Sequence, residues 1–423
     1  MSGRSRSSTS VPSTACRSRR SSPDLKGADV RIGLFGRLGS GNIGNDATLE
    51  AVLAYLKAER PDAVLDSLCS GPKRVTDRYG VPAAQLGWLD GKQPPTGPKP
   101  VRLALTLGRL VLGSLIDTWQ ITSWVRRHDV VIVPGMGVLE STLPQRPWEL
   151  PWGQFVMSLA GKVFGVKVAF VSVGANVVRQ RATGWLLAKS AKLAYYRSFR
   201  DEQSLGAAQK MRMAGPSDHV YPDLVFALPS LPATQGDSIG VGVMAYSGGT
   251  EDRADAERIQ ETYTAAMTLF VERLLADGRR VRLLIGDEAD EPVALDVLSR
   301  VQSSRVVYES FTSADELMNQ LGTVDSVIGT RFHTVLFGLK LGKPTIAIGY
   351  GRKHLALMEH FGVEEWFQEI RDLDADRLYT QFVALQGERA QVVRTIDEHL
   401  QLVREQLDAQ FAELSAVLFG GRS

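Results

Sequence analysis

Apolar residues recur along this chain in two rhythms. Short apolar runs, several of them β-branched, at 30–35, 63–68, 129–133, 167–173 and 198–200 alternate with stretches at helical spacing, at 46–57, 103–125, 154–164, 184–195 and 201–211. The alternation resumes with strands at 238–244, 280–286, 305–308, 326–329 and 345–348, and with helices at 252–276, 291–303, 314–321 and 332–341. Strands that alternate with helices predict parallel sheets covered on both faces, hence an α/β fold of two doubly wound, Rossmann-like domains facing each other. The stretch 71–100, with six prolines and five glycines, reads as a long loop, and the Pro-rich segment 228–236 as the join between domains. Few breakers interrupt 374–418, which reads as helix able to pack back across both domains. The expected division is a Ser/Arg-rich disordered tail at 1–28, a first domain at 29–228, a second at 237–372, and C-terminal helices at 373–423.

Composition narrows the class. A chain of 423 residues has enough length for two cores, and a net charge of +2 gives no general attraction to nucleic acid. Cys16 and Cys69 are too few for a disulfide framework and lack metal-ligand spacing, which points to a reducing, cytoplasmic setting. No run reaches the ~20 apolar residues of a bilayer span. The nearest, 101–116, is interrupted by Arg102 and Arg109 and followed by Asp117. It reads as an amphipathic helix packed on a sheet, with peripheral contact at the inner face of a membrane as the alternative.

Chemistry concentrates where strands end. The first strand runs into Gly36-Arg37-Leu38-Gly39-Ser40-Gly41-Asn42-Ile43-Gly44-Asn45-Asp46, a glycine-rich turn that opens a helix, with Asn45 or Asp46 as the expected cap. As a dinucleotide fingerprint it lacks a clear acidic partner, although Asp66 lies near that place. The third strand ends in Pro134-Gly135-Met136-Gly137, followed by Glu140 and by Trp148 and Trp152, which are candidates for stacking on a sugar ring. Arg200-Asp201 leads another helix, where Asp201 serves equally as a cap. The sharpest feature is Gly329-Thr330-Arg331-Phe332-His333, an apolar strand that stops at a guanidinium and an imidazole two residues apart. A helix start carrying Arg and His favours an anion, phosphate or carboxylate. Leu341-Gly342-Lys343-Pro344 leads into the adjacent strand, and Tyr350, Arg352, Lys353 and His354 follow at its end, so several basic side chains can converge on one rim.

In this order, the motifs resemble the polysaccharide pyruvyl transferase family. The correspondence is carried by Gly41-Asn42-Ile43-Gly44, Pro134-Gly135-Met136-Gly137, Arg200-Asp201-Glu202-Gln203-Ser204, Arg331-Phe332-His333, Gly342-Lys343-Pro344 and Tyr350-Gly351-Arg352-Lys353. Asn45 stands where the family usually places a carboxylate, and Met136 interrupts its glycine triplet. The resemblance implies a glycosyltransferase B-like architecture and transfer of a pyruvyl group from phosphoenolpyruvate to a sugar, oligosaccharide or lipid-linked glycan, forming a ketal. It implies no cofactor and no metal, phosphoenolpyruvate being a co-substrate. Carried onto this sequence, it assigns Arg331 and Arg200 to the donor's anionic groups and His333 to the general acid or a phosphate ligand. Asp46 or Glu140 becomes the base, and Gly41, Asn42, Gly137, Tyr350 and Lys353 line the substrates. The rival readings are a nucleotide-sugar glycosyltransferase of the same architecture and a non-catalytic anion-binding descendant.

Overall fold

The computed structural model describes residues 30–420 except 91, 93, 94, 141–145, 230–235 and 312. The tail expected at 1–28 and most of the expected join lie outside the described residues. Strands β1 (Arg31–Gly36), β2 (Val64–Cys69), β3 (Ala83–Gln85), β4 (Val130–Pro134), β5 (Lys167–Val173), β6 (Tyr196–Phe199) and β7 (His219–Val220) form one sheet, in the order β3-β2-β1-β4-β5-β6-β7. A second sheet contains β8 (Ser238–Gly242), β9 (Arg280–Leu284), β10 (Val306–Tyr308), β11 (Val324–Gly329), β12 (Thr345–Gly349) and β13 (Phe367–Glu369), in the order β10-β9-β8-β11-β12-β13. All pairings are parallel. Every residue of β4 and β12 is buried, as in strands covered by helices on both faces. Strand order reverses between β1 and β4 and again between β8 and β11, which opens a crevice at the carboxyl ends of both sheets.

Two expectations change. The stretch 71–100 is not a plain loop: it holds a helix, Pro72–Tyr79, and the edge strand β3. Pro72 sits in that helix's first turn and Gly80 ends it in the left-handed conformation (φ 66°), so these breakers mark helix ends. The helix Lys99–Val125 packs on its sheet only towards its C-terminal end, through Gly113, Asp117, Ile121, Trp124 and Val125. Before and between these, Leu103, Leu107, Val111, Leu115 and Trp119 stay exposed.

The C-terminal segment forms two helices, Ala375–Gly387 and Arg389–Phe419. The second starts on the β8–β13 domain, where Arg389 Nη1 donates to Asp325 Oδ2 (2.8 Å). It ends on the other domain: Phe411 stacks on Tyr55 at 4.6 Å, and Lys167 Nζ donates to the carbonyls of Val417 and Leu418. Gln410, fully buried, bonds the hydroxyls of Ser172 (2.7 Å) and Ser198 (2.9 Å) beneath the first sheet. No helix among the described residues is long and apolar enough to cross a membrane.

Candidate active site

On the first domain, Asn42 caps the helix Ile43–Glu59 by accepting from the Asn45 N–H (3.2 Å). The cap is thus neither Asn45 nor Asp46. Asp46 folds back to accept from the Gly39 N–H (2.9 Å) and lies 3.8 Å from Arg74. Burial raises its carboxyl pKa, against the Gly39 hydrogen bond and the fields of Arg74 and Arg78. Its carboxylate braces the glycine-rich turn and does not line the cleft cavity. Gly41 also lies outside that lining, near Arg74 and Glu288.

Arg200 follows β6 with its side chain 8% exposed, donating to Glu140 Oε1 at 2.7 Å and lying 3.6 Å from both Asp201 and Asp223. Glu140 fits here because Gly174 has no side chain; a Cβ there would fall 2.3 Å from Glu140 Oε1. Asp201 caps its helix, accepting from the Ser204 N–H (2.6 Å).

On the second domain, β11 delivers Arg331 to the start of the helix Phe332–Lys340, which has no side-chain cap. Its first N–H groups therefore remain available to a ligand. Arg331 grips the buried Asp290 with Nε (2.7 Å) and Nη2, and Asp290 also accepts from the Ala245 N–H (2.9 Å). This bidentate grip fixes the guanidinium's orientation. The next residues reach the opposite domain. The His333 imidazole occupies the space beside Gly44, where a Cβ would lie 1.9 Å from Cε1. The Phe332 ring lies 5.5 Å from the Arg200 guanidinium carbon and 5.4 Å from Lys353 Nζ. An antiparallel bridge between Asn42 and Asp287, and an ion pair from Arg74 to Glu288 (3.0 Å), join the domains at one edge.

These loops enclose a cavity of about 170 Å³. The structure brings Asn42, Gly137, Glu140, Arg200, Arg331, His333, Tyr350 and Lys353 to its lining, all expected there. Among the described residues, four cations (Arg37, Arg200, Arg331 and Lys353) face two carboxylates, Glu140 and Asp287. Loss of hydration, reinforced by Arg200, Lys353, His354 and Arg331, pushes the His333 pKa down to about 3, so its imidazole is neutral at pH 7. His354, fully buried with Nε2 3.2 Å from the Thr330 carbonyl, is pushed down to about 3 as well, by burial and then by Lys353.

A second cavity, about 700 Å³, opens on the first domain and shares Arg37 with the first. Trp148 lines it, whereas Trp152 points its Nε1 at Thr118 Oγ1 (3.2 Å) and packs near Phe155. Asp66 accepts from the Trp124 indole (2.6 Å) and lies 3.0 Å from His128 Nε2, so it is engaged within its own domain. Sequence reasoning missed Arg37, Asn45 and Asp287 as lining residues. Arg37 and Asp287 follow the carboxyl ends of β1 and β9, a position that was itself a usable signal. Asp290 gave no such signal, because its pairing with Arg331 spans 41 residues.

A profile of the family described as polysaccharide pyruvyl transferase matches residues 42–352 of this chain. A curated relative, the amylovoran biosynthesis protein AmsJ of Erwinia amylovora, is 29% identical over 97 residues, a match spanning 23% of this chain and 21% of that protein. Among solved structures, a putative UDP-N-acetylglucosamine 2-epimerase from Listeria monocytogenes superposes with a TM-score of 0.60 at 12% identity, covering 91% of this chain and 98% of that one. The UDP-GlcNAc 2-epimerase from Neisseria meningitidis, bound to UDP-GlcNAc, gives 0.56 at 12% identity, covering 89% and 99%. MurG of Acinetobacter baumannii gives 0.51 at 10%, covering 90% and 99%. At these identities the structural likeness establishes the glycosyltransferase B-like fold alone.

Proposed function

We propose that this chain, which belongs to the polysaccharide pyruvyl transferase family, moves a pyruvyl group from phosphoenolpyruvate onto sugar hydroxyls of a cell-surface polysaccharide or glycolipid and closes a pyruvate ketal. The observation that carries this reading is the small interdomain cavity with its four cations. Its volume of about 170 Å³ is below the roughly 300–1,000 Å³ of pockets for drug-sized ligands, which favours a compact anion over a nucleotide sugar. Phosphoenolpyruvate is compact and charged at both ends. The uncapped helix start and Arg331 suit its phosphate, and Arg200 with Arg37 suits its carboxylate.

In the reaction, a proton adds to the methylene carbon and leaves an oxocarbenium at the adjacent carbon. A sugar hydroxyl bonds to that carbon and gives its proton to a base. The carbon–oxygen bond to phosphate then breaks, phosphate departs, and a second hydroxyl closes the ketal and loses its proton. In the unliganded protein His333 is neutral, and a neutral imidazole can donate one ring N–H to a phosphate that enters the cavity. A phosphate dianion beside the ring favours the imidazolium directly, against the burial and the lesser pull of the cations that depress its pKa, and so lets it carry the proton for the methylene carbon. Glu140, in the cavity, takes the role of base, and Asp46 keeps the turn in shape. The larger cavity with Trp148 receives the acceptor glycan.

Incubation of the purified chain with phosphoenolpyruvate, and separately with nucleotide sugars, tests the donor. Phosphoenolpyruvate is expected to raise the unfolding midpoint, and phosphate to be released when a glycan extract is added. The His333→Ala variant is expected to be slower by ~10²–10⁴-fold. Stabilisation by a nucleotide sugar alone would overturn the donor assignment, and a His333→Ala variant as fast as wild type would remove the histidine from the chemistry.

A further inference from the structure

The helix Lys99–Val125 turns much of its apolar surface outward. Leu103 is 61% exposed, Val111 63%, Leu115 64% and Trp119 73%. Large exposed apolar patches mark interaction sites. The helices Leu150–Phe164 and Arg181–Leu193 lie on the same side of the sheet, because the connections β3 to β4, β4 to β5 and β5 to β6 all advance in one direction and cross over with one hand. Their outer surfaces continue the patch through Val163, Phe164 and Trp185, all exposed. Aromatic contacts tie the three helices together: Trp152 reaches Thr118, and Phe155 lies 6.0 Å from Trp152 and 5.6 Å from Trp185.

Charge on this face has one sign. Lys99, Arg102 and Arg109 lie on the first helix, Arg126 follows it, and Lys162 and Lys189 lie on its neighbours. Asp117, the one carboxylate of the helix Lys99–Val125, is turned inward to the Trp88 N–H (2.7 Å). Residues 150–200 include no Asp or Glu. The whole chain has a net charge of only +2, so this face holds positive charge that is balanced elsewhere. Arg126 lies over the Phe164 ring (4.8 Å) and Lys189 near the Trp185 ring (5.9 Å). Aromatic rings bordered by cations suit a membrane–water interface.

We infer that the outer face of the helix Lys99–Val125 and its two neighbours docks on an anionic lipid bilayer. A second copy of the chain fits less well. The exposed apolar arc covers roughly half of the helix circumference, wider than a coiled-coil seam, and a twofold pairing would set cations against cations. An anionic bilayer answers both the width and the sign. Thr106 and Arg109 of this helix also line the larger cavity, which shares Arg37 with the interdomain cavity. A lipid-linked glycan in that bilayer therefore enters beside the reacting centre. This last step rests on the proposed function, whereas the docking itself does not.

The test uses the full chain with phosphatidylcholine vesicles and with vesicles containing phosphatidylglycerol, read by co-sedimentation without phosphoenolpyruvate. Wild type is expected to prefer the anionic vesicles by about tenfold or more, with the preference falling as salt rises. The doubly substituted Leu115→Asp, Trp119→Asp chain is expected to lose binding while keeping its unfolding midpoint. Should that variant fold poorly, Lys99→Glu with Arg102→Glu decides the matter by loss of the anionic preference alone. Equal partitioning of wild type to both vesicle types overturns the inference. So does a wild-type dimer that ignores vesicles and is dissociated by the aspartates, an outcome that assigns the face to a second copy.

Discussion

Gly44 has no side chain because an imidazole from the other domain stands in its place. A methyl group there would lie 1.9 Å from His333 Cε1, so Gly44→Ala must part the domains or displace the ring. Overpacking of this kind costs ~1–3 kcal/mol, and here it falls on the closed cleft, since His333 belongs to the other domain. The expected result is a loss of at least ~10-fold in kcat/KM for phosphate release with little change in the unfolding midpoint, read by steady-state kinetics beside thermal melts. The histidines add a pH signature. Both His333 and His354 are held at about 3 in the folded protein, against an ordinary value near 6.5. Between those values the unfolded chain binds protons that the folded chain refuses, so stability falls as pH drops below 6.5, by at most ~1.4 kcal/mol per pH unit for each ring. His333 is partly exposed and contributes less than the fully buried His354. Urea midpoints at pH 7 and pH 5 are expected to differ less in His333→Gln than in wild type; an unchanged difference would mean that the ring titrates alike in the folded and unfolded chains. Arg331 and His333 were legible in the sequence because both follow one apolar strand. The Gly44–His333 and Arg331–Asp290 contacts were not, because each depends on how distant segments pack.

Individual elements differ in how openly the sequence announces them. Ten strands, the edge strand β10 among them, have enough apolar and β-branched residues to be recognised, and β5 was placed at its observed bounds. Strands β3, β7 and β13 were missed: each has three residues or fewer and gains its pairing from the sheet edge. The helix Lys99–Val125 was recognised as a helix, and it packs on its domain as expected only towards its C-terminal end, because an apolar pattern does not say how much of it other elements will cover. The helix Arg389–Phe419 shows the reverse case, a polar residue at a core position. Gln410 supplies partners to the Ser172 and Ser198 hydroxyls where β5 departs from regular pairing with β6. Replacing it with leucine keeps the bulk and takes a partner from each hydroxyl, leaving Ser198 Oγ its bond from the Ser172 N–H (2.8 Å). Gln410→Leu is expected to lose ~1–3 kcal/mol of stability in urea unfolding. A loss within error would show that the two serines satisfy each other.

For the molecule as a whole, the doubly wound architecture was legible because alternation of strand and helix leaves few topologies. The convergence of the candidate residues at the cleft followed, since such folds gather their loops at the carboxyl ends of their strands. The partition of the cleft into a small cationic chamber and a larger antechamber was not legible, because it arises from two domains meeting at one edge through Asn42, Asp287, Arg74 and Glu288. The last helix has a further consequence, for synthesis. Phe411, Leu414 and Leu418 complete the packing of a domain whose first strand begins at Arg31, and they leave the ribosome nearly four hundred residues later. Until then the first domain waits with the Ser172 and Ser198 hydroxyls lacking Gln410 and its Tyr55 ring unstacked, and nascent chains depend on long-range closure that is slow and exposed to aggregation. The helix Arg389–Phe419 thus acts as a latch that closes on the first domain only once residues 411–418 have been made, so removing it is expected to destabilise a domain that begins far upstream.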